Sequence, residues 1–217
     1  MATLSLEILS LLGPVGAGAA RDDPTLTIAI LAACCAGIGA TAIMDLWAIF
    51  LRRAFNVPSA DYCLVGRWFC HMPAGKFVHQ SIGKAPKKNG ECAVGWAAHY
   101  IIGIIYAVTL VVLMPGDWLQ RPTLLPAVLV GLSTLLFPFF VMQPAFGLGI
   151  AAARSPRPAQ ARLRSFSSHM AFGVGLYLAA VPVSFYLNQL VLPTAACVPR
   201  IARQILNARF RSPALLR

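Results

Sequence analysis

Four side chains that can exchange protons or hydrogen bonds lie inside long apolar stretches of this chain: Asp45, His99, Gln143 and His169. Ionisable residues are costly to bury in a membrane, so their presence in such stretches favours a functional site. Asp45, His99 and His169 also form a set of one carboxylate and two imidazoles. Sets of this kind hold zinc or iron while leaving coordination positions open.

The same four residues are predicted to lie at similar depth. Each is about 7–12 Å inside one end of its apolar stretch, at a rise of about 1.5 Å per helical residue. In every case this is the end that faces the loop between the first and second stretches or the loop between the third and fourth. Because consecutive helices run in opposite directions, all four positions fall in one half of the membrane. We therefore expect the four side chains to converge.

Three interpretations of this cluster stay open. A structural polar cluster could join helices without any activity. A binding or transport site could take a proton, an ion or a small polar solute. A metal-dependent catalytic site could act on a lipid-like substrate. Arg67, His71 and His79 lie in the segment after the first stretch and are candidate contributors.

No familiar metal or cofactor motif supports the third interpretation. The chain has no HExxH segment, and its histidines do not have the spacing of a standard zinc site. Six scattered cysteines predict neither a zinc site nor a disulfide framework. The sequence therefore identifies no cofactor, no substrate and no reaction.

The elements that must position these residues are membrane-spanning helices. The chain has 217 residues, 58% hydrophobic and only 12% charged, with a mean hydropathy of +0.71. A soluble domain has about 25% charged residues. Four apolar stretches, at about 25–51, 93–114, 123–152 and 166–192, reach the length of about 20 residues that a bilayer requires. We predict an all-α integral membrane bundle of four transmembrane helices.

The domain organisation follows from these stretches. Residues 25–192 are predicted to form a single transmembrane domain, after an N-terminal extension at 1–24. Residues 193–217 form a basic tail for which we expect no fixed structure. Three prolines within the third stretch predict kinks there: Pro126, Pro138 and Pro144.

The distribution of charge predicts the orientation. Eighteen Lys and Arg residues oppose seven Asp and Glu, which gives a net charge of +11. Seven positive residues lie in the first loop (52–92), one in the second (115–122) and four in the third (153–165). The positive-inside rule then places the first and third loops in the cytoplasm and both termini outside. Five arginines in the tail oppose this orientation.

The first loop is expected to fold back on the membrane. Its aromatic, histidine and glycine residues predict a short amphipathic helix at the interface, with Trp68 and Phe69 as anchors. The expected partner is the lipid bilayer, together with a second copy of the chain or another membrane protein. Nucleic acid is excluded, since no basic stretch is interleaved with aromatic residues.

Several segments together resemble a family of small bacterial inner-membrane proteins classified only as a domain of unknown function. The segments are GIGAT at 37–41, MDLW at 44–47, DYCLVGRW at 61–68, HMP at 71–73, RPTLLP at 121–126 and MQPA at 142–145. The resemblance covers about residues 30–185. It implies a multi-pass bacterial membrane protein, and it implies no particular reaction.

Overall fold

The computed structural model describes residues 24–114 and 118–210, with side chains for 27–114 and 118–189. The predicted N-terminal extension therefore lies almost wholly outside the described residues. Within these ranges the chain is helical and contains no strand. Four helical segments are long and apolar enough to cross a membrane: Thr27–Phe55, Glu91–Leu113, Leu124–Ala145 and Pro158–Gln189. The predicted all-α membrane bundle is confirmed.

Six α-helices form the described fold, joined by short turns of other helical types. The α-helices are α1 (Pro24–Phe55), α2 (Tyr62–His71), α3 (Glu91–Leu113), α4 (Leu124–Ser133), α5 (Gln143–Ala145) and α6 (Pro158–Phe210). Three 3₁₀ turns lie at Met72–Ala74, Ile82–Lys84 and Ile150–Ala152, and one π-helical turn lies at Pro138–Met142.

The third span and the last helix, α6, differ in their bounds from the third and fourth apolar stretches of the sequence. The third span becomes π-helical at Pro138, which has no N–H to continue the α-helical ladder. It ends at Ala145 and not near residue 152, because Gly147 adopts a left-handed φ of 87° and turns the chain back. The last helix begins at Pro158, so Arg164 belongs to that helix and not to a loop. The same helix runs to Phe210 and includes residues 193–210, for which no fixed structure was expected.

Small residues allow the spanning helices to pack closely. Ala36 and Ala40 on α1 are almost fully buried. A Cβ added at Gly37 of α1 would lie 2.7 Å from the Cα of Ile104 on α3. One added at Gly175 of α6 would lie 3.0 Å from the Cα of Ala40. Close backbone approach is the usual means of helix association in lipid, where apolar burial gives no driving force.

The short helix α2 lies directly against the start of α3. A Cβ added at Gly66 would collide with the carbonyl oxygen of Glu91, and one added at Gly95 would collide with that of Tyr62. The two backbones are therefore in contact, and only glycine fits at these two positions.

This contact brings two cysteines together and corrects the expectation that no disulfide forms. Cys63 on α2 and Cys92 on α3 are joined by a disulfide, with their Cα atoms 3.9 Å apart. They are 29 residues apart in the chain, and their proximity depends on α2 folding back along α3. The spacing of the two cysteines in the sequence does not reveal this contact between α2 and α3.

The first and third loops, 56–90 and 146–157 in the structure, form one joint cap on the bundle. The backbone N–H of His79 donates to the carbonyl of Ala145 at 2.8 Å. The N–H of Ile82 donates to the carbonyl of Phe146 at 3.2 Å. These bonds place both loops on the same side of the membrane domain, as the alternation of spans requires.

Trp68 does not anchor this cap in lipid, which corrects its predicted role. The side chain is 4% exposed and packs within the protein against Phe146. Its indole N–H donates to the carbonyl of Phe77 at 2.8 Å. The apolar face of α2 therefore covers the third loop, and it does not face the membrane interface as an amphipathic surface helix would.

Candidate functional site

Asp45 is the centre of a hydrogen-bonded cluster contributed by three helices. Its Oδ1 lies 3.0 Å from Nε2 of His99 on α3 and accepts from the hydroxyl of Tyr62 on α2 at 3.4 Å. Its Oδ2 accepts from the hydroxyl of Tyr100 at 3.0 Å. Both oxygens of a carboxylate inside a spanning helix therefore have side-chain partners. A buried charge requires such partners.

The ring of Tyr62 holds this cluster in place. It stacks on the imidazole of His99, with ring centroids 4.0 Å apart, and contacts Trp96 at 4.6 Å. Trp96 and His99 are three residues apart on α3 and so share a helix face. Burial raises the pKa of the Tyr62 hydroxyl above its ordinary value, and the Asp45 carboxylate raises it further. Tyr62 thus remains a hydrogen-bond donor to Asp45.

A cavity of about 330 Å³, here called the Asp45 cavity, opens beside the cluster between α1 and α6. This volume lies within the usual range for small-molecule sites, about 300–1,000 Å³. Its walls combine charged, aromatic, hydroxyl and aliphatic groups. The lining residues are Met44, Asp45, Ala48, Ile49, Leu51, Arg52, Val57, Pro58, Ser59, Ala60, Tyr62, Trp96, Arg164, Ser165, Ser168 and His169.

His169 lines the Asp45 cavity but has a different hydrogen-bond partner. Its Nδ1 is hydrogen-bonded to the hydroxyl of Thr134, which caps the C-terminus of α4. A second, smaller cavity of about 60 Å³ lies between His169 and His99. The structure therefore brings three of the four predicted residues to one region: Asp45 and His99 in contact, and His169 across a cavity from each.

Gln143 lies apart from the other three. It is 6% exposed and lines a separate cavity of about 460 Å³. Its Nε2 is 3.5 Å from the hydroxyl of Ser165, and its Oε1 is buried without a partner. Ser165 lines the Asp45 cavity, and the two cavities share wall residues that include Val57, Pro58 and Arg164. Gln143 therefore lies next to the Asp45 cavity without lining it.

Arg67 in the first loop holds the cap together and does not line the Asp45 cavity. Its guanidinium binds Glu91 in a bidentate pair, with bonds of 2.9 and 2.7 Å. The Nη1 of Arg67 also donates to three backbone carbonyls of the loop, those of Ile82, Gly83 and Ala85. The hydrogen bonds with Glu91 raise the pKa of the Arg67 guanidinium, which therefore stays charged.

His71 and His79 also lie away from Asp45. Their rings meet edge to face with centroids 5.2 Å apart, and both line a shallow cavity of about 340 Å³ in the cap. Nε2 of His71 lies 3.0 Å from the carbonyl oxygen of Pro86. Burial lowers the pKa of the His79 imidazole, and the neighbouring His71 and Lys76 lower it further.

The geometry gives little support to a metal centre. Among the side chains that the structure describes, those of residues 27–114 and 118–189, no group of three or more His, Cys, Asp or Glu is arranged to hold a metal ion. Asp45 and His99 bond to each other, whereas His169 bonds to Thr134. The chemistry that this arrangement can perform is hydrogen bonding and proton exchange around a cavity.

Tyr62, Tyr100 and Arg164 belong to the site although sequence reasoning did not select them. Tyr100 follows His99 directly, and this adjacency was the available signal. Tyr62 lies in the first loop, and Arg164 precedes the predicted start of the fourth span. Neither position indicates proximity to Asp45 without the fold.

Four apolar helices, with a cavity among them that is lined by ionisable as well as aliphatic side chains, define an integral membrane protein. The chain belongs to the family described as "Protein of unknown function (DUF2938)", which matches residues 34–183. That range contains the Asp45 cluster and both capping loops, and it confirms the resemblance drawn from the sequence segments. Neither a curated protein nor a solved structure matches the chain.

Proposed function

We propose that this protein binds a small polar solute in the Asp45 cavity and exchanges a proton at Asp45 as it does so. The observation that carries the proposal is the placement of Asp45. It is an ionisable group in a spanning helix that accepts hydrogen bonds from two tyrosine hydroxyls, lies within hydrogen-bond distance of His99 and also lines a cavity of ligand size. Ionisable groups in such positions commonly mark solute or proton pathways.

A proton at Asp45 would change the hydrogen bonds of its neighbours. The carboxylate accepts from Tyr62 and Tyr100, and from His99 in the tautomer that carries its proton on Nε2. A protonated Asp45 becomes a donor through one oxygen and must release or reorient one of these partners. The partners lie on α2 and α3, so the protonation of Asp45 on α1 is linked to the contacts among three helices.

The test is proton flux in liposomes that contain the purified protein and a pH-sensitive dye. An imposed pH difference should decay faster with the wild-type protein than in empty liposomes. Asp45→Asn should abolish this excess flux, and Tyr100→Phe should reduce it. Tyr186→Phe is the matched control, because Tyr186 is 67% exposed and lies outside the cluster.

The alternative outcome is a purely structural cluster. No excess flux in the wild type, with Asp45→Asn changing only the melting temperature, would overturn the proposal. Elemental analysis of the same purified samples tests the alternative of a metal-dependent enzyme. Stoichiometric metal that is lost in Asp45→Asn and in His99→Ala would favour an enzyme acting on a lipid-like substrate.

We also propose that the protein lies in the bacterial inner membrane with its first and third loops in the cytoplasm. The support is the excess of Lys and Arg in these loops. The Cys63–Cys92 disulfide opposes this orientation, since disulfides seldom persist in the cytoplasm. Labelling of a Lys87→Cys variant in intact cells distinguishes the cytoplasmic from the external placement of these loops. Labelling of this position by an impermeant maleimide would place the loops outside.

A further inference from the structure

The Asp45 cavity contains two cationic side chains as well as the carboxylate. Arg52 lies in the last turn of α1, and Arg164 lies near the start of α6. Nη1 of Arg164 donates to the carbonyl of Pro58 at 3.0 Å, which fixes the guanidinium beside the cavity. A guanidinium has five N–H donors in a planar arrangement, so this one bond leaves other N–H groups of Arg164 available to a ligand.

Asp45 itself is poorly placed to attract a cationic ligand. Its oxygens already accept from Tyr62, His99 and Tyr100, and an added cation would have to displace or share these bonds. With Asp45 ionised and both arginines charged, the charged groups lining the cavity sum to a net positive charge. The electrostatic preference of the cavity is therefore for an anion.

The rest of the wall is suited to an apolar body. Met44, Ala48 and Ile49 form a ridge along α1, and Val57 lies above it in the first loop. The hydroxyls of Ser165 and Ser168 line the same space and can donate to an anionic oxygen near Arg164. Charge at one end and aliphatic side chains along the wall match an amphipathic ligand.

We propose that the solute is a small organic anion, with its carboxylate or phosphate oxygens at Arg52 and Arg164 and its apolar body against α1. This assignment rests on the proposed function, since it names the ligand class of the same cavity. Arginine suits it because a guanidinium binds carboxylate and phosphate oxygens through paired hydrogen bonds. A lipid head group can carry the same anionic oxygens. The length of the apolar chain on the probe therefore distinguishes a small solute from a lipid.

The experiment compares three probes of one chain length: hexanoate, hexanol and hexylammonium. Binding to the protein in mild detergent is followed by tryptophan fluorescence, because Trp96 lines the cavity. Hexanoate should bind at least about tenfold more tightly than the other two, the difference expected for one charge-assisted hydrogen-bonded group. The signal should disappear in Trp96→Phe. Equal binding of the three probes, or tighter binding of hexylammonium, would overturn the inference.

Arginine variants locate the site. Arg164→Gln and Arg52→Gln should each weaken hexanoate binding about tenfold or more, whereas Arg164→Lys should keep the preference for the anion. Arg53→Gln and Arg157→Gln are the matched controls, because both arginines lie nearby but do not line the Asp45 cavity. If Arg164→Gln does not fold, Arg52→Gln decides alone. Equal weakening by variants and controls would contradict the assignment.

A longer probe distinguishes a solute from a lipid. A small solute enclosed in the cavity of about 330 Å³ gains nothing from a chain that extends beyond the cavity wall. The affinity of dodecanoate, corrected for uptake into micelles, should therefore not exceed that of hexanoate. Tighter dodecanoate binding would overturn the small-solute assignment in favour of a lipid head group. The two proposals can fail independently. If proton flux depends on Asp45 but hexanoate is not preferred, the ligand class is refuted and the proposed proton exchange is retained.

Discussion

The hydroxyl of Tyr100 and the imidazole of His99 bind opposite oxygens of Asp45, each at 3.0 Å. The two residues are adjacent on α3, and they hold the carboxylate of α1 from two directions. Because each oxygen has its own partners, one hydrogen bond can be removed while the other remains.

Tyr100→Phe should destabilise the protein by about 1.5–3 kcal/mol, the usual contribution of a hydrogen bond to a charged group. The ring remains, so the loss isolates the hydroxyl. Denaturant unfolding in mild detergent measures it. Tyr186→Phe should stay within about 0.5 kcal/mol of wild type, as exposed substitutions usually do. Equal losses in the two variants would show that the Tyr100 bond contributes nothing specific.

Alanine at either glycine of the α2–α3 contact should be strongly destabilising. Gly66→Ala and Gly95→Ala each direct a methyl group into a backbone carbonyl, which cannot move as a flexible side chain can. We expect a loss of about 3 kcal/mol or more, at the upper end of overpacking effects. Gly83→Ala is the control, since its Cβ would meet only the Ser81 hydroxyl at 3.9 Å. Melting curves for the three variants test the expectation, and a wild-type curve for Gly66→Ala would contradict it.

The Arg67–Glu91 pair should show strongly non-additive behaviour. Arg67→Met leaves the Glu91 carboxylate in the cap without its bidentate partner, so the melting temperature should fall. The double variant Arg67→Met with Glu91→Met removes both charges and should recover part of this loss, because no uncompensated charge remains. Thermal unfolding of the wild type, both single variants and the double variant forms the cycle. Additive losses would mean that the two side chains act independently.

Acidification should weaken the cap through His79. Burial lowers the pKa of the folded imidazole below its ordinary value of about 6.5, and His71 and Lys76 lower it further. The unfolded chain therefore binds more protons than the folded chain as pH falls through that value. Stability is complete above this range and declines below it.

The melting temperature should therefore be flat from about pH 8 to pH 7.5 and fall toward pH 5, within the range where an ordinary histidine titrates. His79→Gln should make the decline shallower, because its side chain does not titrate. Asp45, His99 and His169 remain in both proteins, so the difference between the two pH profiles reports on His79 together with its contact with His71. Parallel profiles would assign the decline to other groups.

The sequence predicted the four spans correctly, because their number follows from the length and hydropathy of the apolar stretches. The depth of the polar residues follows from the helical rise and stays a prediction. Depth does not determine the direction around a helix axis, however. Gln143 turns toward Ser165, whereas Asp45 and His99 turn toward each other. Periodicity alone left this direction open, since apolar residues surround each polar one on the spanning helices.

The cap was the least predictable part of the fold. Its contacts join residues far apart in the chain, such as Cys63 with Cys92 and Arg67 with Glu91. In sequence, Arg67 is one of several basic residues in a loop, and the positive-inside rule counts it with the rest. Only the folding of α2 along α3 distinguishes it as a buried partner of a carboxylate.

The direct contact between α2 and α3 also limits how sequences of this family can diverge. No smaller residue than glycine exists, so a related chain that keeps the contact has no neutral substitution available at positions 66 and 95. Drift at either position would require the helices to separate. That movement would also draw apart Cys63 and Cys92, which lie beside the contact. Positions such as Gly83 carry no such restriction, so substitutions should accumulate there while the two contact glycines persist together.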